Sequence, residues 1–226
     1  LDNSNTAIVL ADEALLFPML HNLPSEIKQL NVTMGSPLKN TALFSLLEVI
    51  FKLQIRAIKY NRKAFYYKDV IAVVEHPYFS KITQISDAIA FMRFITKSNI
   101  VFVTQNNIDA YFKNSKAVKL VFHFWSSVDD ALQTFNNLIE ELKLPLVGKK
   151  GTIESEILAA FYNVLTVLKN LIAVNNFEIE LKTLQIIMQQ LVAKESIPFK
   201  GEPLKGVQLM GILESRTLDF KNVIML

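Results

Sequence analysis

The chain has 226 residues, of which 51% are hydrophobic and 20% charged, with a formal net charge of +3. That length suits one large domain or two small ones, and that composition builds a core rather than a disordered tail. The absence of cysteine excludes disulfides, thiolate metal sites and a cysteine nucleophile, while the mild positive charge permits a nucleic-acid partner without demanding one.

Residues 6–10 (TAIVL) read as a short buried strand, being apolar and partly β-branched. Asp12 caps a following helix carrying Leu15, Leu16, Met19 and Leu20 at helical spacing, which Pro18 shortens or bends. Residues 31–34 (NVTM) form a second strand, ended by Gly35 and Pro37. A long helix is predicted over about residues 40–60, where Leu43, Leu46, Leu47, Ile50 and Leu53 make one apolar stripe. Helices are predicted over 66–74 and 86–96. The short apolar runs 100–103 and 120–124 fit helix or strand equally, and on a strand His123 would take a polar position. Ser127-Val128-Asp129-Asp130 matches a capping box that opens a helix to about residue 142. The next helix has Glu154 and Glu156 in its first turn and Ile157, Phe161, Val164, Leu168 and Leu171 on one face. A last helix follows over about 179–193. Two prolines and two glycines in IPFKGEPLKG mark a connection, then residues 207–212 and 222–226 read as strands.

The motifs exclude more than they propose. The six glycines, at 35, 148, 151, 201, 206 and 211, allow neither G-x-x-x-x-G-K-[ST] nor G-x-G-x-x-G, so the chain has no self-contained loop of those kinds for wrapping phosphates. No G-x-S-x-G elbow is present, and His21, His76 and His123 lie too far apart for a local metal motif. The adjacent carboxylates Asp12-Glu13, Asp129-Asp130 and Glu140-Glu141 point about 100° apart on a helix and do not converge on one ion. Two E-x-K tripeptides, Glu26-Ile27-Lys28 and Glu180-Leu181-Lys182, lack the strand-borne Asp partner that a metal-dependent nuclease needs. The densest basic stretch interleaves Arg56, Lys59, Arg62, Lys63 and Lys68 with Tyr60, Phe65, Tyr66 and Tyr67. It fits phosphate contact with base stacking, or a solvated helix end with core aromatics behind it. The longest apolar candidate, residues 157–174, contains Asn163, Lys169 and Asn170, so no membrane span is expected. No signal peptide is expected, and cysteine-free composition suits a cytoplasmic location.

The two ends carry a resemblance. The segment GVQLMGILESRTLDFKNVIML resembles motif V of UvrD-like superfamily 1 helicases, a strand followed by T-x-H-x-A-K-G-L-E-F and another strand. TAIVLADEALLFPML and NVTMGSPLKNTALFSLLEVIFKL resemble the first half of the same helicase domain. NVTMG with PLKNT, GEPLKG and MG-x-LE-[ST]-R-x-LDF look most like AddB-type subunits of bacterial helicase–nucleases, the PD-(D/E)XK nuclease proteins of Bacteroides-type bacteria. The match covers residues 6–55 and 197–226; residues 60–195 correspond by position only, to a helical insertion. The chain departs from the helicase motif at Gly211 (Thr there), Leu213 (His), Thr217 (Gly) and Asp219 (Glu), while Arg216 keeps the basic charge. Leucine cannot donate a hydrogen bond as histidine does.

The resemblance implies an internal segment of a longer protein. Its fold would be mostly helical α/β, with a partial RecA-like parallel sheet formed by both chain ends, 1–58 and 197–226, around an all-helical insertion at 59–196. Its expected role is non-catalytic, holding or guiding DNA, with a helicase partner subunit, while other domains do the chemistry. No cofactor, metal or membrane is expected for this segment. Thr33, Lys39, Asn40 and Arg216 are the expected DNA-facing residues, because they follow strands at the ligand edge of a parallel sheet. The alternative is a structural helical module that binds another protein without DNA contact.

Overall fold

All five residues of β1 (Thr6–Leu10) and all five of β7 (Val207–Gly211) are buried. Near-continuous apolar strands of this kind belong to parallel sheets covered on both faces. These two strands lie side by side at the centre of a four-stranded parallel sheet with order β2-β7-β1-β8, where β2 is Leu30–Val32 and β8 is Asn222–Met225. The register sets Ile8 against Leu209 on one side and Ile224 on the other. A computed structural model of the chain describes residues 5–27, 29–60, 63–113, 115–146, 152–175, 179–197, 206–215 and 219–226, with the backbone alone at Glu13, Phe17, His21 and Asn175. Within them the protein is a mostly helical α/β chain whose parallel sheet is built from both ends, as expected from sequence.

The chain divides into two units, residues 1–40 with 194–226, and residues 41–193. The division therefore falls before the long helix, whereas the sequence expectation drew it after that helix, at 58/59.

In the sheet unit, alternate residues face opposite ways. Ile8, Leu10, Val32, Val207 and Leu209 pack with Leu16, Met19 and Leu20 of α1 (Leu16–Asn22). Ala7, Val9 and Met210 face the other way and pack with Phe220, from the connection between β7 and β8. That second face also carries a buried amide pair, in which Asn31 Nδ2 donates to Gln208 Oε1 at 2.6 Å. The partners are neighbours in register, and Gln208 Nε2 in turn donates to the Gly206 carbonyl at 3.1 Å. Gly206, entering β7, has φ +75° and a Cβ there would lie 2.2 Å from the Gln29 carbonyl oxygen, so only glycine fits. A short antiparallel pair, β3 (Ser36–Pro37) with β6 (Ser196–Ile197), completes this unit.

The helical unit opens with α2 (Ala42–Lys59), capped by Thr41, whose Oγ1 accepts from the Phe44 N–H at 3.3 Å. Its predicted apolar stripe is buried throughout. Then come β4 (Ala64–Tyr66), α3 (Tyr67–Val74), α4 (Ile85–Lys97), β5 (Phe102–Thr104), α5 (Gln105–Phe112), α6 (Lys116–Val121), α7 (Val128–Lys143), α8 (Ile153–Asn175) and α9 (Leu181–Lys194). β4 and β5 form an antiparallel ribbon, which resolves the ambiguous run at 100–103 as strand. The core is aromatic. Phe51 and Phe135 meet Trp125 edge-on at 5.5 and 5.2 Å, and Phe79 does the same to Phe112 at 5.8 Å. Gln54, fully buried, ties down the irregular segment after α6: its Nε2 donates to the carbonyls of Val121 and His123, and its Oε1 accepts from the Trp125 N–H. Residues 120–124 are thus a helix end and a tethered coil, and His123 is an exposed side chain outside any strand.

α8 departs from expectation twice. Ile157, Phe161, Val164 and Leu168 are buried as predicted, but Leu171 is 44% exposed. Residues Ile153–Val174 are also long and apolar enough to cross a membrane, with mean hydropathy 1.8, although Leu158, Phe161, Leu165 and Leu168 are fully buried in the protein core.

Candidate nucleic-acid interface

The sheet defines one place where a ligand edge can form. From β1 the chain leaves through α1 towards β2, on one side of the sheet; from the neighbouring β7 it leaves towards β8, on the other. Adjacent strands whose outgoing connections part in opposite directions make a crevice at their carboxyl ends, the usual ligand position in open α/β sheets.

Around that edge the structure places Asp12, Thr33 and the turn 212–215. Asp12 Oδ1 accepts from the Ala14 N–H at 2.8 Å, so this carboxylate caps the 3-10 turn Glu13–Leu15 rather than α1, whose own N-cap, Leu15, makes no side-chain bond. Thr33 is exposed directly after β2, with its N–H held by the Leu209 carbonyl at 3.0 Å. Lys39 and Asn40 are exposed on the 3-10 turn Leu38–Asn40. Asn40 does not cap α2, because Thr41 does. Arg216, and with it Thr217, lies outside the described residues. The turn after β7 brings an acid instead: a Cβ on Gly211 would sit 2.5 Å from Glu214 Oε2, so the carboxylate fills the space a threonine side chain would need. Leu213 is 67% exposed there. The edge thus offers one neutral hydrogen-bonding side chain, Thr33, and two carboxylates, Asp12 and Glu214, while Lys39 and Asn40 follow β3 of the short antiparallel pair.

The basic–aromatic stretch sorts itself by direction. Phe65 is fully buried and stacks on Phe124 at 4.3 Å, and Tyr66 packs against Phe102. Arg56 is committed to Asp69, with Nη1 2.8 Å from Oδ2 and 3.0 Å from Oδ1, and lies over the Tyr66 ring. Burial pushes the Asp69 carboxyl above its usual range, outweighing the pull of Arg56 and Lys52. Lys59, Tyr60, Lys63 and Lys68 remain exposed, and Arg62 lies outside the described residues.

The remaining motifs have structural partners. Asp130 accepts from the Ser126 N–H and hydroxyl, and its own N–H donates to Ser127 Oγ, so the capping box reaches one residue further back than its pattern implies. Glu140 pairs with Lys143 and Glu141 with Lys116. Glu180 precedes α9 and Lys182 stands within it, so this E-x-K is not on a strand; Glu26 lies in a turn, and Lys28 is outside the described residues. Among the described residues no group of three or more His, Asp or Glu could hold a metal.

One pair escaped the sequence reading. Ser45 Oγ and His76 Nε2 are 2.7 Å apart, brought together from α2 and the end of α3. His76 Nδ1 accepts from the Tyr78 N–H at 3.2 Å, so in the neutral ring the proton is on Nε2, donated to Ser45, whose hydroxyl turns to the Ala42 carbonyl. A general base needs the opposite tautomer, so this pair is built as a tether. No local motif could have revealed it, since 31 residues separate the partners.

No protein-family model matches the chain, and no curated protein is similar enough to count as a match.

Proposed function

We propose that the chain is a non-catalytic, helicase-like segment of a bacterial DNA repair helicase–nuclease, holding or guiding DNA while other domains do the chemistry. The observation that carries this reading is the parallel sheet made from both chain ends, with a helical unit inserted between β2 and β7. That is the arrangement the end segments' resemblance implies. Exposed Thr33, Lys39 and Asn40 beyond β2 supply the hydrogen-bonding groups and charge for backbone contact. The test is fluorescence anisotropy of labelled single- and double-stranded DNA in a salt titration. Binding that weakens steeply between about 50 and 200 mM salt is expected; no affinity for either form at low salt refutes the DNA role.

A second reading, a helical module that docks another protein, is favoured by one feature. Val167, Leu171 and Val174 form an exposed apolar stripe on α8, at 47, 44 and 82% exposure. It requires a partner that stays bound at high salt and is lost on Leu171→Glu.

A further inference from the structure

Two hollows run together along α2. One, of about 780 Å³, is lined by Lys52, Lys59, Tyr60, Lys182 and Gln185; the other, of about 550 Å³, shares Ile55, Lys59 and Lys182 with it. Both lie wholly within the helical unit, between α2 and the start of α9. We infer that this trough is a binding site for single-stranded nucleic acid, gripping phosphates through Lys59 and Lys182 and stacking a base on Tyr60. The inference rests on the reading that the chain meets DNA, but it places a contact on residues other than Thr33, Lys39, Asn40 and Arg216, and it draws Lys59 and Tyr60 from the basic–aromatic stretch.

Charge complementarity selects the occupant. Lys52, Arg56 and Lys59 stand at i, i+4 and i+7 on α2, one face, and Lys182 faces them from α9. Arg56 is neutralised by Asp69, and Lys52 lies 3.9 Å from the same carboxylate. Lys59 and Lys182 have no acidic partner among the described residues. Lys52 and Lys59 are two helical turns apart, roughly 10 Å along the axis. Opposing acids are Glu48 and Glu180. Glu48 borders the first hollow, where its Oε2 accepts from the side-chain amides of Gln185 and Gln189 at 3.1 and 2.8 Å and its Oε1 is buried, so this carboxylate is turned to joining α2 to α9; Glu180 borders the second hollow and is exposed. The Tyr60 ring is 56% exposed at the end of the trough, an apolar face beside cations. A lysine pair with an adjacent free aromatic is the combination that binds single strands without reading sequence. A duplex keeps its base faces stacked and cannot use the ring.

The test uses the whole chain, with labelled oligo-dT, a duplex of equal length, and heparin as a polyanion without bases. Lys59→Gln with Lys182→Gln is expected to weaken oligo-dT binding at least tenfold and to flatten the log–log salt dependence by about 1.4, from about 0.7 per lost phosphate contact. Tyr60→Ala is expected to weaken oligo-dT about tenfold and leave heparin unchanged. All three residues are exposed, so thermal unfolding checks that the variants stay folded. If the double lysine variant binds oligo-dT like the wild type while Lys39→Gln abolishes binding, the trough inference fails and the DNA reading stands. If Tyr60→Ala has no effect, or duplex binds as tightly as oligo-dT, the single-strand assignment fails. If the wild type binds none of the nucleic acids, both readings fail.

Discussion

His76 is the side chain whose protonation most directly touches the packing of the helical unit. Burial lowers its pKa from the ordinary 6.5. In the neutral ring Nδ1 accepts from a backbone N–H, and a proton there removes the acceptor. The unfolded chain takes up the proton first as pH falls, so the stabilising contribution is complete above 6.5 and is lost as pH drops through 6.5 towards the lower folded value. Wild-type protein should therefore lose more thermal stability between neutral and mildly acidic pH than His76→Gln does. Parallel melting curves for the two proteins across that range would contradict the assignment. Gln54 makes a different residue-scale point: its buried amide donates to and accepts from the backbone of the irregular segment 121–125 that it pins, which is why a polar side chain is tolerated at full burial.

At the scale of elements, the joint between α2 and α3 rests on Arg56 and Asp69. Asp69 is only 3% exposed, so removing its partner strands a carboxylate away from water. Arg56→Ala should cost about 3 kcal/mol, read as a lower urea midpoint with unchanged slope. Adding Asp69→Asn should recover most of that loss; no recovery would mean that Arg56 acts through its stem packing on Tyr66. Elements of this kind were largely legible beforehand. The 3-and-4 spacing of Leu43, Leu46, Leu47, Ile50 and Leu53 encodes α2, and the all-apolar runs TAIVL and VQLM encode the central strands, because such patterns have one way to be buried. The ribbon of β4 with β5 was not legible as a pair, since its strands are three residues each and their partners lie 36 residues apart at Tyr66 with Phe102 and 40 at Ala64 with Thr104. α5 escaped because only Ile108 and Phe112 are buried in it, too few to mark a period. Of the expected site, Thr33, Lys39 and Asn40 are exposed as required, but the pairing of Lys59 with Lys182 depends on tertiary contact between α2 and α9, which no local pattern contains.

At the scale of the whole molecule, the two-unit division makes a separate prediction. The helical unit has its own aromatic core, and the chain's single tryptophan, Trp125, sits inside it. Residues 41–193 expressed alone should unfold in urea in one cooperative step, reported by Trp125 fluorescence, with a midpoint close to the fluorescence midpoint of the full chain. A gradual, non-cooperative loss of signal would show that the helical unit depends on the sheet unit for its fold.

The strand order has a consequence for how the protein is made. β1 and β2 are both synthesised before the helical unit, yet they are not neighbours: β7 lies between them, and among the described residues it is the one partner of β2 in the sheet. On a ribosome working at roughly 5–20 residues per second, these two apolar strands wait on the order of ten seconds or more for β7 to emerge. The helical unit, rich in local contacts, is made in the interval and can fold first. β7 therefore acts as the closing stone of the sheet, and the nascent chain has a period in which TAIVL is exposed and most needs a chaperone.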